Sequence, residues 1–343
     1  MSIISAEVAI IGAGPIGIEL AVALKKVGID YLHFDARQIG YTISWFAPQT
    51  RFFSSNERIA IAGVPLFTPD QTKCTREQYL AYLRSVVVQF DLKINTYEPV
   101  IDIHRGGDEF LLTTRRGGGE AKYRVRKLVL ATGGTERPRP LDVPGHDLPH
   151  VSHYFQDPHQ YFQKDLLIVG GRNSAVEAAL RSHYVGARVS MSYRKTQFDS
   201  ARIKYWLWPE MNGLIKSGKL KAHFNTTLKE IRPGEAFLAG ENGRIIDVPA
   251  DFVLLLIGYE ADMTLCRLAG VELKGPGQAP VFDPTTMQTN VPGVYLAGTA
   301  VGGTQERYAI FIENCHVHTQ RIVASLSGSA PPPSPAPLDR PES

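Results

Sequence analysis

Residues 7–17 read EVAIIGAGPIG, an apolar run that passes into a glycine-rich turn. The apolar run is typical of a buried strand, and residues 18–27 have the apolar spacing of a helix that ends at Gly28. A second strand pattern, residues 31–34, follows and ends at Asp35. This order of strand, turn, helix and strand predicts a βαβ unit, in which a helix joins two parallel strands.

The turn matches the pattern G-x-G-x-x-G at Gly12, Gly14 and Gly17. In dinucleotide-binding proteins, glycines at this spacing allow the tight turn, let the backbone approach a pyrophosphate and let helix and strand pack closely. The amino end of the helix offers free N–H groups to phosphates, and the carboxylate of Asp35 can accept hydrogen bonds from a ribose diol. We therefore predict a dinucleotide site at this turn; a tight turn without a ligand is the alternative.

The same architecture returns about one domain length later. A buried-strand pattern at residues 165–169 leads to a turn, GGRNSA at residues 170–175, and then to a helix pattern and a strand at residues 188–192. Arg172 stands where the second glycine of the motif belongs, and Ala175 takes the third place. An arginine side chain at this point can pair with phosphate. The repeat predicts a second dinucleotide site in the same chain.

The two repeats end in residues of opposite charge. The first ends in Asp35, whereas the second ends in Arg194 and Lys195, which Arg202 can join. A carboxylate repels a 2′-phosphate and a basic pair attracts one, so we predict FAD in the first site and NADPH in the second. A solvated basic loop is the alternative. Two dinucleotide sites in one chain imply hydride transfer between two cofactors.

Further segments complete the predicted sites. Strand patterns at residues 128–130 and 294–296 both run into small residues that suit passage beside a flavin, and we expect a helix beginning near Ala309 to direct its amino end at the flavin. The predicted FAD contacts are Gly12, Ala13, Gly14, Pro15, Ile16, Gly17, Asp35, Ala36, Val100, Ala131, Thr132, Gly133, Gly298, Thr299 and Ala309. The predicted NADPH contacts are Gly170, Gly171, Arg172, Asn173, Ser174, Ala175, Glu177, Arg194, Lys195, Arg202 and Gly258.

Length and composition exclude several classes of protein. A chain of 343 residues has room for about two domains, and 43% hydrophobic with 21% charged residues is a folded rather than a disordered composition. A net charge of +3 gives no reason to expect nucleic acid or an anionic membrane as a partner. No apolar run approaches the roughly 18 residues of a membrane-spanning helix, and no signal peptide pattern is visible. We predict a cytoplasmic protein.

The number and spacing of the cysteines indicate that they pack in the core rather than take part in a reaction. Cys74, Cys266 and Cys315 are odd in number and widely spaced, and no C-x-x-C is present. This excludes a disulfide framework, a four-cysteine zinc site and a local dithiol, and we predict no metal. A small buried hydrophobe is the usual role of such a thiol.

Three stretches make the chain resemble the low-molecular-weight thioredoxin-reductase-like flavoproteins, and within them the bacillithiol-disulfide reductase branch. They are TRFFSS at residues 50–55, IVGGRNSA at 168–175 and IFIEN at 310–314. The resemblance extends to about Ser327. It implies an α/β fold of two Rossmann-like three-layer domains, in which an NADPH domain interrupts an FAD domain. The corresponding boundaries are 1–137 and 261–327 for the FAD domain, 138–260 for the NADPH domain and 328–343 for a disordered Pro/Ser tail.

The resemblance also implies a function. The family uses NADPH and FAD to reduce the disulfide of a low-molecular-weight thiol, as a homodimer or homotetramer, so the expected partner is a small-molecule or small-protein electron acceptor. Thr299 stands where thioredoxin reductases keep an acid, and two further departures from the family bear on disulfide exchange. The C-x-x-C place of thioredoxin reductases falls on residues 153–156, and Ile16 stands where the branch has a cysteine proposed to act in disulfide exchange. If that cysteine is needed, this chain cannot perform the same step.

Several assignments stay open at this point. His153 is the candidate catalytic proton donor, with a structural hydrogen-bonding role as its alternative. Glu177 contacts the nicotinamide or lies on a helix surface. Three other functions fit the sequence: a ferredoxin or flavodoxin reductase of the same fold, a flavin monooxygenase-like enzyme, and a redox-sensing protein that binds the cofactors without turnover.

Overall fold

The computed structural model describes residues 3–306 and 308–333, and the chain divides into two compact units. The first unit holds residues 3–44, 54–137 and the described residues from 259 onward; the second holds residues 45–53 and 138–258. The sequence did not predict that residues 45–53 group with the second unit. Most of the predicted disordered tail lies outside the described residues.

Both units contain strands and helices. In chain order, the strands are β1 (Ile4–Ile11), β2 (Tyr31–Phe34), β3 (Val100–Gly106), β4 (Glu109–Arg116), β5 (Gly119–Leu130), β6 (Arg137–Pro138), β7 (Val151–Ser152), β8 (Asp165–Val169), β9 (Arg188–Tyr193), β10 (Lys221–Phe224), β11 (Thr227–Arg232), β12 (Gly234–Ala239), β13 (Ile245–Ala250), β14 (Phe252–Leu255), β15 (Tyr259–Glu260), β16 (Leu273–Lys274), β17 (Ala279–Pro280) and β18 (Val294–Leu296). The α-helices are α1 (Pro15–Lys26), α2 (Tyr41–Ser44), α3 (Asn56–Ile59), α4 (Arg76–Gln89), α5 (Asn173–Tyr184), α6 (Trp208–Lys216), α7 (Thr264–Leu268) and α8 (His316–Ser327).

The first unit is built on a six-stranded sheet in the order β2-β1-β5-β4-β3. Strand β5 is long enough to pair with three neighbours: β1 lies parallel along one edge, and β4 and then β18 lie along the other. Ile11 is opposite both Phe34 and Leu130, and Leu130 is opposite Leu296. The carboxyl ends of β1, β2, β5 and β18 therefore meet at one edge of the sheet.

Helix α1 follows directly from the glycine turn. Pro15 is its first residue, where a missing N–H costs nothing, and Gly28 lies just past its end with a left-handed φ of 74°. Its apolar residues are buried on more than one side, because α1 packs on the sheet and also against α8. The predicted βαβ unit is therefore confirmed.

The second unit contains a five-stranded parallel sheet in the order β10-β9-β8-β14-β7. In the central strand β8, Leu166 and Ile168 face a core formed with α5 and α6, whereas Leu167 and Val169 face the antiparallel strands β11 to β13. Both faces of the sheet are covered, so the strand is apolar without alternation. This explains the continuous apolar run at residues 165–169.

Residues 45–53 attach to the second unit through their backbone carbonyls. Arg181 donates to the carbonyl of Pro48 at 2.6 Å, and Lys204 donates to the carbonyl of Arg51 at 3.3 Å. The ring of Phe53 stacks on Trp206 with centroids 5.5 Å apart. These contacts account for the grouping of this segment with residues 138–258.

None of the helices within residues 3–306 and 308–333 combines the length and apolar character that crossing a membrane requires.

Candidate functional site

The first glycine turn forms a cradle of backbone at the edge where four strands end. A Cβ on Gly12 would lie 2.3 Å from the carbonyl oxygen of Ala131, and one on Gly17 would lie 2.0 Å from the carbonyl oxygen of Gly12. A Cβ on Gly14 would meet nothing within 4 Å. Two glycines thus let strand, turn and helix pack closely, and the third leaves open space at the amino end of α1, as a pyrophosphate requires.

Asp35 lies at the same sheet edge as the first glycine turn and hydrogen-bonds to the backbone of that turn. One carboxylate oxygen accepts a hydrogen bond from the backbone N–H of Ala13 at 2.7 Å, and the other accepts from Arg37 at 2.7 Å. Burial raises the pKa of Asp35, although these two backbone hydrogen bonds oppose the rise. Each oxygen keeps a lone pair for a ribose hydroxyl.

The remaining strand ends bring most of the predicted FAD contacts together. Ala131 donates to the carbonyl of Ile11 at 2.8 Å, and Ala297 donates to the carbonyl of Leu130 at 3.0 Å, which places residues 131–133 and 298–299 beside the turn. Ile16 packs against Gly298, whose Cβ would lie 3.4 Å from the Cβ of Ile16. Val100 follows shortly after Glu98, whose N–H donates to the carbonyl of Asp35 at 3.0 Å.

His33 lies beneath the turn and is fully buried. Its Nε2 is 3.0 Å from the carbonyl oxygen of Gly12, so this nitrogen carries the hydrogen and donates. Burial lowers the pKa of His33 to about 4, which keeps the ring neutral. Its Nδ1 has no hydrogen-bond partner among the described residues. No local sequence pattern singles out His33.

The predicted helix start near Ala309 is wrong, because α8 begins at His316. Residues 309–311 instead form a loop held by two side chains. Gln305 Oε1 accepts from the N–H groups of Ala309 and Ile310 at 3.0 Å each, and Asn314 accepts from Phe311 and donates to the carbonyl of Ala309. The side-chain hydrogen bonds replace the helical ones that the sequence pattern suggested. The role of Ala309 toward the flavin stays a prediction.

The second glycine turn lies at the carboxyl ends of β8, β9 and β14. Gly170 has a φ of 145°, and a Cβ there would lie 2.4 Å from the carbonyl oxygen of Leu256. Arg172 is the residue immediately before α5 and has an extended φ of −112°, which any residue adopts, so its place in the motif does not require glycine. Its side chain is exposed and free to meet a phosphate. The geometry therefore fits a second dinucleotide.

One of the three basic residues predicted after β9 is held by an acidic neighbour. Arg194 and Lys195 are exposed and follow directly on the strand next to the turn. Arg202 is paired with Asp199, Nε to Oδ2 at 3.1 Å. Gly258 lies past β14, and its carbonyl accepts from the N–H of Arg139 at 3.0 Å. As contacts of NADPH, these residues remain predictions.

Two of the predicted NADPH contacts, Glu177 and Asn173, bond to Lys204, a residue that is not among the predicted contacts. Glu177 pairs with the Lys204 ammonium at 3.1 Å, and both side chains are largely buried, 17% and 10% exposed. The side chain of Asn173 accepts from the N–H of Lys204 at 2.6 Å. His153 follows β7, and burial lowers its pKa, with a smaller opposing effect from its hydrogen bond to the backbone of Leu255. Its proposed proton transfer stays a prediction.

All three thiols are inaccessible. Cys74, Cys266 and Cys315 are at most 1% exposed. Burial raises the pKa of Cys266 to about 12 and raises that of Cys315 well above its usual range. Thiolate is the reactive form in disulfide exchange, so these two residues are inert at neutral pH. Ile16, the residue in the place of the branch cysteine, is itself buried.

Comparison with known proteins agrees with this geometry. Residues 9–298 match the model of the family described as pyridine nucleotide-disulphide oxidoreductase. The chain is 34% identical to the bacilliredoxin reductase Bdr of Bacillus subtilis over 93% of this chain and 96% of that protein. A solved structure of the bacillithiol disulfide reductase Bdr from Bacillus cereus superposes with a TM-score of 0.90, at 33% identity, over 94% of this chain and 99% of that one. A ferredoxin–NADP reductase of Ignicoccus hospitalis is 26% identical over 84% of this chain and 88% of its own length. The resemblance indicated by the sequence is confirmed.

Proposed function

The chain belongs to the pyridine nucleotide-disulphide oxidoreductase family, within its bacillithiol disulfide reductase branch, and on that premise we propose that it reduces a low-molecular-weight disulfide of the bacillithiol class with NADPH and FAD. As a member of this family it is an oxidoreductase with a flavin and a nicotinamide cofactor. FAD, NADPH, the disulfide acceptor and the cytoplasmic compartment are the finer assignments that we propose.

The observation that carries the proposal is the backbone cradle around Gly14. The turn at residues 12–17, the carboxylate of Asp35 and the loops 131–133 and 298–299 come together at one edge of the sheet. These residues would hold FAD, with the pyrophosphate at the amino end of α1 and a ribose at Asp35. When bound, FAD supplies the hydride acceptor and passes electrons on to the substrate.

The second turn supports NADPH as the electron donor. Residues 170–175 would hold the pyrophosphate, and the exposed Arg194 and Lys195 would pair with the 2′-phosphate. Arg202 would contribute less, because Asp199 already occupies its guanidinium. An acid at the Arg194 position would instead favour NADH.

The buried thiols define how the disulfide is reduced. A mixed disulfide between enzyme and substrate needs an exposed thiolate, and Cys74, Cys266 and Cys315 offer none. The acceptor disulfide is therefore reduced without a covalent bond to this protein. The chain's contribution is to bind and orient the disulfide; His153 stays the candidate proton donor that the sequence predicts, although burial lowers its pKa and so disfavours the protonated ring that a donor needs.

The test is an anaerobic two-step titration. NADPH is added to the FAD-loaded protein until the visible flavin band is bleached, and bacillithiol disulfide is then added. Prompt return of the band, with two free thiols for each NADPH consumed, is the expected result. Glutathione disulfide and cystine serve as control acceptors. A flavin band that stays bleached in bacillithiol disulfide overturns the proposed substrate.

A single-electron reductase for a small iron–sulfur or flavin protein is the second candidate. It is favoured by the absence of an accessible thiol on the chain, because electron transfer to such a partner needs none. In the same titration, this function predicts no reoxidation by any disulfide and rapid reoxidation by ferredoxin or flavodoxin. The two outcomes exclude each other.

A further inference from the structure

Glu19 on α1 and His316, the first residue of α8, form an ion-paired contact between elements far apart in sequence. The Oε2 of Glu19 is 2.8 Å from the Nδ1 of His316, across a separation of 297 residues. The other imidazole nitrogen, Nε2, is 2.9 Å from the carbonyl oxygen of Arg58, and Glu19 Oε1 accepts from the N–H of Ala62 at 3.2 Å. The side chains of Glu19 and His316 are 14% and 25% exposed.

The partners of His316 determine how many protons the ring carries. A carbonyl oxygen only accepts, so Nε2 bears a hydrogen. A carboxylate also only accepts, so Nδ1 must bear one too. A neutral imidazole has a single N–H, and a histidine takes up a proton at a higher pH than a glutamate does. The geometry is therefore that of an imidazolium paired with a carboxylate.

We propose that Glu19 and His316 are positioning residues that, as a carboxylate and an imidazolium, fix the start of α8 to α1 and to residues 58–62, and thereby set the loop at Ala309 against the FAD site. This inference rests on the proposed function only for the identity of the cofactor. The positioned elements, the start of α8 and the 309–314 loop, belong to the described structure.

A continuous set of contacts connects the pair to the predicted flavin side. Asn314, two residues before His316, holds Phe311 and Ala309 by hydrogen bonds of 2.9 and 2.7 Å. Gln305 holds Ala309 from the other side and lies against Gly302, at the end of the turn that starts at Gly298. Loss of the pair would release α8, and with it the loop at Ala309.

The charged and titratable groups around His316 favour the imidazolium. Burial lowers the pKa of His316, but the hydrogen bond and charge of Glu19, the carbonyl of Arg58 and the charge of Glu313 outweigh it, so the pKa is raised. The other titratable groups near the pair are Cys315 and His318 on the α8 side and Tyr79 and Tyr82 on α4. Burial lowers the pKa of the next histidine, His318, to about 4, so that ring stays neutral.

The first test measures how many protons the His316 ring carries. The FAD-loaded full chain, labelled with ¹⁵N in its histidine rings, is titrated from pH 5 to 9. We expect the His316 imidazolium to lose its proton with a midpoint above 6.5, and this midpoint to move down in Glu19→Gln. A wild-type midpoint at or below 6.5 overturns the proposal, and this result does not depend on any variant folding.

The second test measures FAD retention by equilibrium dialysis. Glu19→Gln and His316→Gln are each expected to raise the FAD dissociation constant about tenfold at pH 7, and the double variant no further, because either change breaks the same pair. Wild-type affinity should fall as the pH rises through the raised pKa of His316, while the variants show no such fall. His104→Gln, a change at an exposed histidine on β3, is the matched control. Wild-type FAD affinity in both variants overturns the proposal, whereas inactivity toward disulfides with FAD bound overturns only the substrate.

Discussion

The Nε2 of His33 lies 3.0 Å from the carbonyl oxygen of Gly12, directly beneath the first glycine turn. Gly12 can adopt its φ of 111° because it lacks a side chain, and its carbonyl oxygen accepts a hydrogen bond from the fully buried imidazole of His33. A buried polar group without a partner is costly, so the bond to Gly12 is what allows the imidazole N–H to be buried beneath the turn.

Replacement of His33 by phenylalanine should therefore destabilise the first unit. The phenyl ring keeps the volume but removes the donor to Gly12, and we expect a loss of about 1–3 kcal/mol in the free energy of unfolding at pH 7.5. Urea unfolding of wild type, His33→Phe and the exposed-site control His104→Phe measures it. Equal stability of all three proteins would show that the hydrogen bond contributes nothing.

The same histidine predicts how stability depends on pH. The pKa of His33 is about 4 in the folded chain, below the usual value of 6.5 in the unfolded chain. Between these values the unfolded chain binds the proton, so the stabilisation is complete above pH 6.5 and is lost as the pH falls toward 4. Urea midpoints measured from pH 7.5 to 4.5 should fall less in His33→Phe than in wild type. Parallel curves would contradict the assignment.

Two glycines of the first turn should respond differently to alanine. Gly14→Ala has open space around the new Cβ and an ordinary φ of −74°, so the apoprotein should melt within about 2 °C of wild type. FAD binding should weaken at least tenfold, because the methyl group occupies the approach of the pyrophosphate. Gly17→Ala would press the Cβ against the Gly12 carbonyl and should destabilise the apoprotein itself. Thermal melts without cofactor, paired with FAD titrations, separate the two effects.

The basic pair after β9 should determine the choice of nicotinamide cofactor. Arg194→Ala with Lys195→Ala removes two charges from the predicted 2′-phosphate position, and each charge-assisted hydrogen bond is worth about 1.5–3 kcal/mol. We expect kcat/KM for NADPH to fall at least tenfold with that for NADH unchanged, measured with ferricyanide as acceptor. Arg202→Ala should have a smaller effect, since its guanidinium is held by Asp199. An equal loss with both nucleotides would indicate damage to the fold instead.

The three thiols should not react with thiol reagents while the protein is folded. Cys74, Cys266 and Cys315 are buried, so an aromatic disulfide reagent should label none of them in buffer and all three in urea. Cys315→Ala should keep the rate of disulfide reduction within about twofold, while its lost packing lowers the melting temperature. If a thiol of the folded protein is labelled within minutes, or if Cys315→Ala is folded but inactive, then a protein thiol takes part in disulfide reduction.

The sequence predicted the parts of the fold that follow from local pattern. Both βαβ units were identified, because a buried strand, a glycine turn and an amphipathic helix are encoded by neighbouring residues. The start of α8 was placed too early, since Ala309 to Phe311 look helical until Gln305 and Asn314 occupy their backbone groups. Competition between side-chain and helical hydrogen bonds is not visible in an apolar pattern.

Contacts between residues far apart in the sequence could not be predicted either, because local patterns do not encode them. Nothing near Glu19 in the sequence points to His316, and nothing in residues 45–53 indicates that Arg181 and Lys204 hold their carbonyls. Glu177 was assigned to a cofactor or to a helix surface, and its ion pair with Lys204 was not predicted. A charged residue has many possible partners, and only the packed chain selects one.

Strand β5 pairs with β1 on one edge and with β18 on the other, so the central sheet of the first unit needs segments from near both ends of the chain. During synthesis β18 emerges only after residues 138–258, which already contain every strand of the second sheet. The second unit can therefore fold on the ribosome while the first still lacks a strand. The proposed flavin-binding edge, which includes residues 298–299, is therefore completed only after the second unit has been synthesised, and capture of FAD at this edge must wait for the translation of these residues.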